Sequence, residues 1–246
     1  MKKTLFLLYG VVAYVSFFAT FFYAIGFVSR LYVPPKSTLG FALLVNAALL
    51  SLFVLQHSIM ARPAFKRWWT KFVPGPIERS TYVLLSSLCL LALFYFWQPL
   101  GGVVWYVESE PWQLLLFALC ILGFGIVLIS TFFINHFDLF GLRQVWFHFR
   151  NKKYSQLPFR TPYIYKYVRH PVYLGFMIAF WATPLMTATH LFFAIITTLY
   201  MLTAIRFEEN DLIKQFGTKY REYKRSAPML LPFGRFSRSE KAAIEN

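Results

Sequence analysis

Charge is scarce in this sequence. Asp, Glu, Lys and Arg make up 14% of its 246 residues, where ordinary soluble domains carry about 25%. Negative charge is scarcer still: 10 acidic side chains face 25 basic ones. Cysteine is almost absent. Cys89 and Cys120 both lie inside apolar runs, which excludes a disulfide framework and a cysteine-based metal site. No metal ligand set is expected anywhere in the chain. No Gly-, Pro- or Ser-rich linker divides the middle, and no fixed-period repeat is visible, so one domain is expected over 1–246. Within it, 1–150 reads as four spans with signature loops, 151–232 as the ligand-binding core, and 233–246 as a tail. The opening run MKKTLFLLYGVVAYVSFFATFFYAIGF is followed by no small-residue cleavage site. Its apolar part is longer than a signal peptide needs, which predicts a retained first span.

What is present is apolar bulk. Hydrophobic residues are 58% of the chain, aromatics 21%, and Phe alone occurs 29 times. A soluble fold of this length cannot bury that much apolar surface, so lipid is the expected solvent. Apolar runs at 4–28, 38–60, 80–98 and 112–134 are each near the roughly 20 residues that cross a bilayer core. A further run, 171–205, is interrupted by Pro184, Thr187, Thr189 and His190. It predicts either a hairpin of two short spans or one span with a re-entrant helix. The expected fold class is therefore an all-α integral membrane protein with five to six transmembrane helices. If the N-terminus is cytoplasmic, all but Arg30 and Lys36 of the 25 lysines and arginines fall on the inner side, following the positive-inside tendency. The formal charge of +15 then reflects topology and attracts anionic lipid headgroups. It does not form the separate basic domain that nucleic-acid binding asks for.

Three polar clusters interrupt the apolar pattern, all at predicted cytoplasmic ends of spans: QHSIMARPAFKRWW (56–69), NHFDLFGLRQVW (135–146), and YKYVRHPVYLGF (165–176) together with RFEENDL (206–212). Ionisable groups at membrane depth usually face a protein interior or a cavity. Three at one level predict a polar site open to the cytoplasm. Pro171 can start a helix because its missing N–H is unpaired in the first turn anyway. The following N–H groups then favour an anionic or polar ligand before that turn. Glu208 and Glu209 can answer an ammonium group or ribose hydroxyls.

The stretch Tyr165…Arg169-His170-Pro171-Val172-Tyr173-Leu174-Gly175 resembles the R-H-P-x-Y-x-G signature of integral-membrane methyltransferases related to isoprenylcysteine carboxyl methyltransferase. So does the tail, Glu208-Glu209…Leu212…Phe216-Gly217…Tyr220…Tyr223, closing with Pro228 and Pro232. That resemblance covers about 155–232. The clusters at 56–87 and 135–146 are similar to the methanethiol S-methyltransferase family and to proteins labelled NnrU-like, which extends the likeness over almost the whole chain. The resemblance implies S-adenosyl-L-methionine as methyl donor, dimethyl sulfide as product and the bacterial inner membrane as location, with the pocket toward the cytoplasm. It implies cofactor contacts at Leu157, Pro158, Phe159, Arg160, Tyr165, His170, Pro171, Val172 and Tyr173, and at Glu208 and Glu209, with Glu208 at the motif's matching position. The isoprenylcysteine relatives also carry a substrate-binding Arg four residues before that Glu. Here the position is Ala204, which argues for a small neutral thiol, with Arg206 or Arg143 as possible substitutes.

A thiol acceptor needs a base, because a free cysteine titrates only near 8.5 and a simple alkyl thiol is no more acidic. The candidates are His57, His136 and Asp138, with Asn135 as a hydrogen-bond donor and Arg143 as part of the family signature. His136 and Asp138 are two residues apart and meet directly only at an irregular helix end; His57 with Asp138 is the other pairing. The alternatives are a different thiol or a prenylcysteine carboxylate as acceptor, a transporter, and a non-enzymatic NnrU-like membrane protein. A transporter asks for ionisable groups near the bilayer midplane, and these spans have almost none.

Overall fold

The computed structural model describes residues 1–29 and 37–232. Arg30, Lys36 and the predicted tail 233–246 lie outside the described residues. The elements run, in order, α1 (Lys2–Ser29), α2 (Leu39–Ala61), α3 (Pro63–Trp69), α4 (Gly75–Phe96), β1 (Val103–Tyr106), α5 (Glu110–Ile134), α6 (His136–Leu139), α7 (Leu142–Phe149), a 3₁₀ turn (Tyr163–Lys166), α8 (Pro171–Trp181), β2 (Leu185–Thr187), α9 (Ala188–Phe216) and α10 (Thr218–Ser226). Five of these, α1, α2, α4, α5 and α9, are long and apolar enough to cross a membrane. Their outer faces carry side chains such as Leu44, 69% exposed, and Leu114, 66% exposed. Such faces are stable only against hydrocarbon. The protein is an all-α integral membrane protein, and β1–β2 is its sole strand pair among the described residues.

Sequence punctuation sets the helix ends. Thr38 caps α2 by accepting the Phe41 N–H. Proline stands in the first turn of α3, α4 and α8, where its missing N–H costs nothing. The break that Pro184 predicted falls between α8 and α9. The apolar run ends near 205, but the helix does not: α9 continues to Phe216 and carries Glu208 and Glu209. Leu212, Ile213 and Phe216 extend the helical spacing, and the helix stops only at Gly217, at φ 60.

The chain divides into two compact units. The first holds 1–106, 135–156 and 185–192. In it α4 packs against α1 and α2, and α7 packs against α1 and α4. Gly141, at φ 87, makes the turn from α6 to α7, and a Cβ there would meet the Ser80 Oγ at 2.6 Å. That close approach holds the NHFDLFG segment onto α4. Met60, Tyr82, Val83 and Phe140 form the buried centre. Trp68 and Phe72 remain exposed next to Arg67 and Lys71, as interfacial anchors do.

The second unit holds 107–134, 157–184 and residues from 193 onward. Here α8 runs antiparallel along α5. The Tyr165 hydroxyl meets the Ser130 carbonyl at one end, and the Val107 N–H meets the Pro184 carbonyl at the other. Between them Gly123 faces Gly175 and Ala179 so closely that a Cβ on Gly123 would lie 2.6 Å from the Gly175 carbonyl oxygen. Small residues let membrane helices approach at backbone distance. The 11 residues of α8 rise only about 16 Å, so α8 is a shorter apolar helix packed against α5 beside the five helices of spanning length.

Candidate functional site

In the second unit the third polar cluster closes on itself. Arg169 and His170 precede α8, and Glu209 comes to them from α9. Arg169 Nε lies 2.8 Å from Glu209 Oε1, and His170 Nε2 lies 3.1 Å from the same oxygen. Lys224, from α10, reaches Glu209 Oε2 at 2.6 Å. Glu209 is only 4% exposed, so its charge is stable there only because the Arg169 and Lys224 cations and the His170 ring surround it. Its neighbour Glu208 points elsewhere, as adjacent helical residues must. Glu208 is half-buried and accepts the Tyr173 hydroxyl at 2.9 Å.

The other residues expected to hold the cofactor surround this pair. Tyr165 is buried, donates to the Ser130 carbonyl at 3.3 Å and accepts from the Tyr223 hydroxyl at its own carbonyl. Burial, reinforced by Glu208, pushes its hydroxyl well above the ordinary tyrosine value. Tyr220 and Tyr223 are pushed up as well, chiefly by burial. Leu157 and Phe159 are half-buried, while Pro158 and Arg160 are exposed. Phe159 packs against Phe216, Tyr220 and Tyr223. His170 is the N-cap residue of α8, Pro171 is buried in its first turn, and Val172 is half-buried. No side chain caps this helix, so its first turn faces the 165–170 corner without an internal side-chain acceptor. The Ser130 Oγ is buried and has no hydrogen-bond partner.

The first unit gathers the residues expected to handle the acceptor. His57, on α2, meets the Tyr82 hydroxyl at 3.0 Å and the Ser86 Oγ at 3.3 Å. Arg79 stacks 4.8 Å over the Tyr82 ring and donates to the Leu139 carbonyl. His136 is 1% exposed, and its Nε2 lies 2.8 Å from the Tyr14 hydroxyl. Phe17, Phe18, Phe137 and Phe140 surround its ring. Burial lowers its pKa, so at neutral pH it is an uncharged imidazole able to accept a proton. Asn135 acts as a helix cap: its Oδ1 accepts the Asp138 N–H at 3.1 Å. The Asp138 carboxylate receives Arg143 at 2.9 Å, Gln144 at 3.4 Å and Tyr154 at 3.2 Å. Tyrosine hydroxyls thus stand at both histidines, in the place where the sequence suggested Asp138.

Tyr14, Tyr82, Ser130 and Lys224 were not singled out in the sequence. The first three sit in apolar or small-residue helical runs, where a hydroxyl has no distinguishing pattern. Lys224 belongs to a solvated basic stretch. Cys89 and Cys120 are free. Among the described residues no group of three or more His, Cys, Asp or Glu could hold a metal ion.

Residues 112–219 match the phospholipid methyltransferase family. The chain is 49% identical over 239 residues to the methanethiol S-methyltransferase of Crocosphaera subtropica, covering 95% of this chain and 94% of that protein. It is 50% identical over 239 residues to the methanethiol S-methyltransferase of Mycobacterium tuberculosis, covering 95% and 98%. Against methanethiol S-methyltransferase 2 of Bradyrhizobium diazoefficiens the identity is 54% over 234 residues, covering 92% and 89%. No solved structure matches the chain.

Proposed function

The chain belongs to the methanethiol S-methyltransferase family, and from that premise we propose that it methylates methanethiol to dimethyl sulfide with S-adenosyl-L-methionine, at the cytoplasmic face of the bacterial inner membrane. What supports the acceptor most is identity near one half, over more than nine-tenths of the chain, with relatives bearing that name.

The residues of the second unit suit the donor. Glu208 offers a carboxylate held by only one described partner, Tyr173, and so can accept from ribose hydroxyls. The uncapped first turn of α8 offers backbone donors for a carboxylate. The orphaned Ser130 Oγ gives a further polar contact beside Tyr165. The backbone of Leu157 to Arg160 and the His170–Tyr173 segment complete the set. When bound, S-adenosylmethionine supplies an electrophilic methyl on a cationic sulfur.

The chain's own task is then to hold the thiol, remove its proton and keep water away. The bound donor would supply its methyl group to the thiol sulfur, the new carbon–sulfur bond forming as the donor's own carbon–sulfur bond breaks. The thiol proton passes to a histidine and from there to water. His136 and His57 are both candidates, each oriented by a tyrosine hydroxyl. General-base help is worth about 10²–10⁴-fold, and alignment of the reacting atoms adds a larger proximity effect. A carboxylate acceptor is disfavoured. Ala204 cannot bind it, Arg206 is exposed, and Arg143 is engaged by Asp138 and the Ser155 carbonyl. The test is headspace detection of dimethyl sulfide from membranes given methanethiol and S-adenosylmethionine. Product only with both present supports the proposal; donor consumption without dimethyl sulfide refutes the acceptor.

A further inference from the structure

Arg169 does more than face Glu209. One of its terminal nitrogens donates to the Lys224 carbonyl at 3.0 Å and also to the Ala227 carbonyl. Its backbone N–H donates to the Pro228 carbonyl at 2.9 Å, and the His170 N–H donates to the Met229 carbonyl at 3.2 Å. From the other side, Lys224 closes the ring on Glu209. The Tyr223 hydroxyl meanwhile holds the Tyr165 carbonyl. So the segment from α10 to Met229 is tied to 165–170 by two backbone bonds, one guanidinium and one shared carboxylate.

We propose that Arg169, Glu209 and Lys224 form a latch that fastens the C-terminal segment 218–229 against the 165–173 corner and makes that segment a wall of the cofactor site. This rests on the cofactor reading above. It also divides the two glutamates: Glu208 faces the ligand, and Glu209 is a positioning residue that never touches it. Arginine is required at 169 because a planar fork can serve a carboxylate and two carbonyls at once, whereas lysine presents a single point charge. The network is internal and buried on the Glu209 side, so losing one partner leaves a charge without compensation.

The test uses the full-length protein in detergent micelles, with Arg169→Gln, Arg169→Lys, Glu209→Gln and Lys224→Met. Two measurements are made: chymotryptic cleavage at Tyr220 and Tyr223, and calorimetric binding of S-adenosylhomocysteine. The latch predicts cleavage at least about tenfold faster in Arg169→Gln and Glu209→Gln, with Arg169→Lys intermediate. It predicts S-adenosylhomocysteine binding weakened by a similar factor, while the KM for methanethiol stays unchanged. Lys224 is 43% exposed at its side chain, so Lys224→Met keeps the fold and should show a smaller rise in both. Wild-type cleavage rates in Arg169→Gln and Lys224→Met would overturn the latch. A loosened tail with unchanged S-adenosylhomocysteine affinity would overturn the wall. If the wild type itself binds no S-adenosylhomocysteine, the cofactor reading fails, and the cleavage rates still decide the latch.

Discussion

At the scale of single residues, the chemistry turns on groups whose surroundings decide their protonation. His136 is enclosed by phenylalanines and a tyrosine. If it is the base, His136→Ala should lower kcat by about 10²–10⁴-fold while S-adenosylhomocysteine still binds. His57→Ala should do so instead if His57 is the base. Full activity in both variants would remove histidine base catalysis. The same burial gives a stability signature. With a pKa below 6.5, His136 refuses a proton that the unfolded chain would bind. Its contribution is complete above pH 6.5 and is lost as pH falls toward the lowered value. At the alkaline end the sign reverses. Tyr165, Tyr220 and Tyr223 are raised above 10.0, so the native state keeps protons that the unfolded chain releases. Their contribution is complete below pH 10.0 and declines as pH rises further. Thermal unfolding in detergent from pH 5 to 11 should therefore show losses at both ends. Tyr165→Phe, Tyr220→Phe and Tyr223→Phe together should flatten the alkaline one.

At the scale of elements, the pairing of α5 with α8 is the most demanding contact. Gly123→Val or Gly175→Val would drive side-chain atoms into the facing backbone. Overpacking of this kind costs about 1–3 kcal/mol or more, and here no flexible side chain can move aside. Thermal aggregation in detergent should shift clearly downward for either variant. Gly125→Val is the control: a Cβ at Gly125 meets nothing within 4 Å, so its midpoint should stay close to that of the wild type. Equal midpoints for all three would contradict the close approach. The consequence is functional too, because α8 carries His170, Pro171 and Tyr173 at its start. The helix start at Pro171, the break at Pro184 and the long spans were legible from proline placement and apolar run length, both local properties. The extension of α9 through Glu208 and Glu209 was not, since a charged run after an apolar one reads equally as a loop.

At the scale of the whole molecule, lysine and arginine placement predicts the topology. Single-cysteine variants in a background without Cys89 and Cys120 test it. Positions 67, 152 and 221 should react with an impermeant thiol reagent only from the inner side, and positions 106 and 108 only from the outer side. Labelling of 221 and 67 from opposite sides would invert the proposed arrangement. The sequence by itself determined the solvent, the approximate spans and the two motifs that mark a methyltransferase, because hydropathy and motif spacing are carried by neighbouring residues. Only the tertiary structure decided what each charged or hydroxyl group touches. Glu208 and Glu209 are adjacent and identical in type, yet one meets a tyrosine and the other meets Arg169, His170 and Lys224. Asp138 meets Arg143, while tyrosines from distant helices meet the histidines. A polar side chain's role depends on partners brought close by packing, some more than 100 residues away in the chain, and no local pattern encodes that meeting.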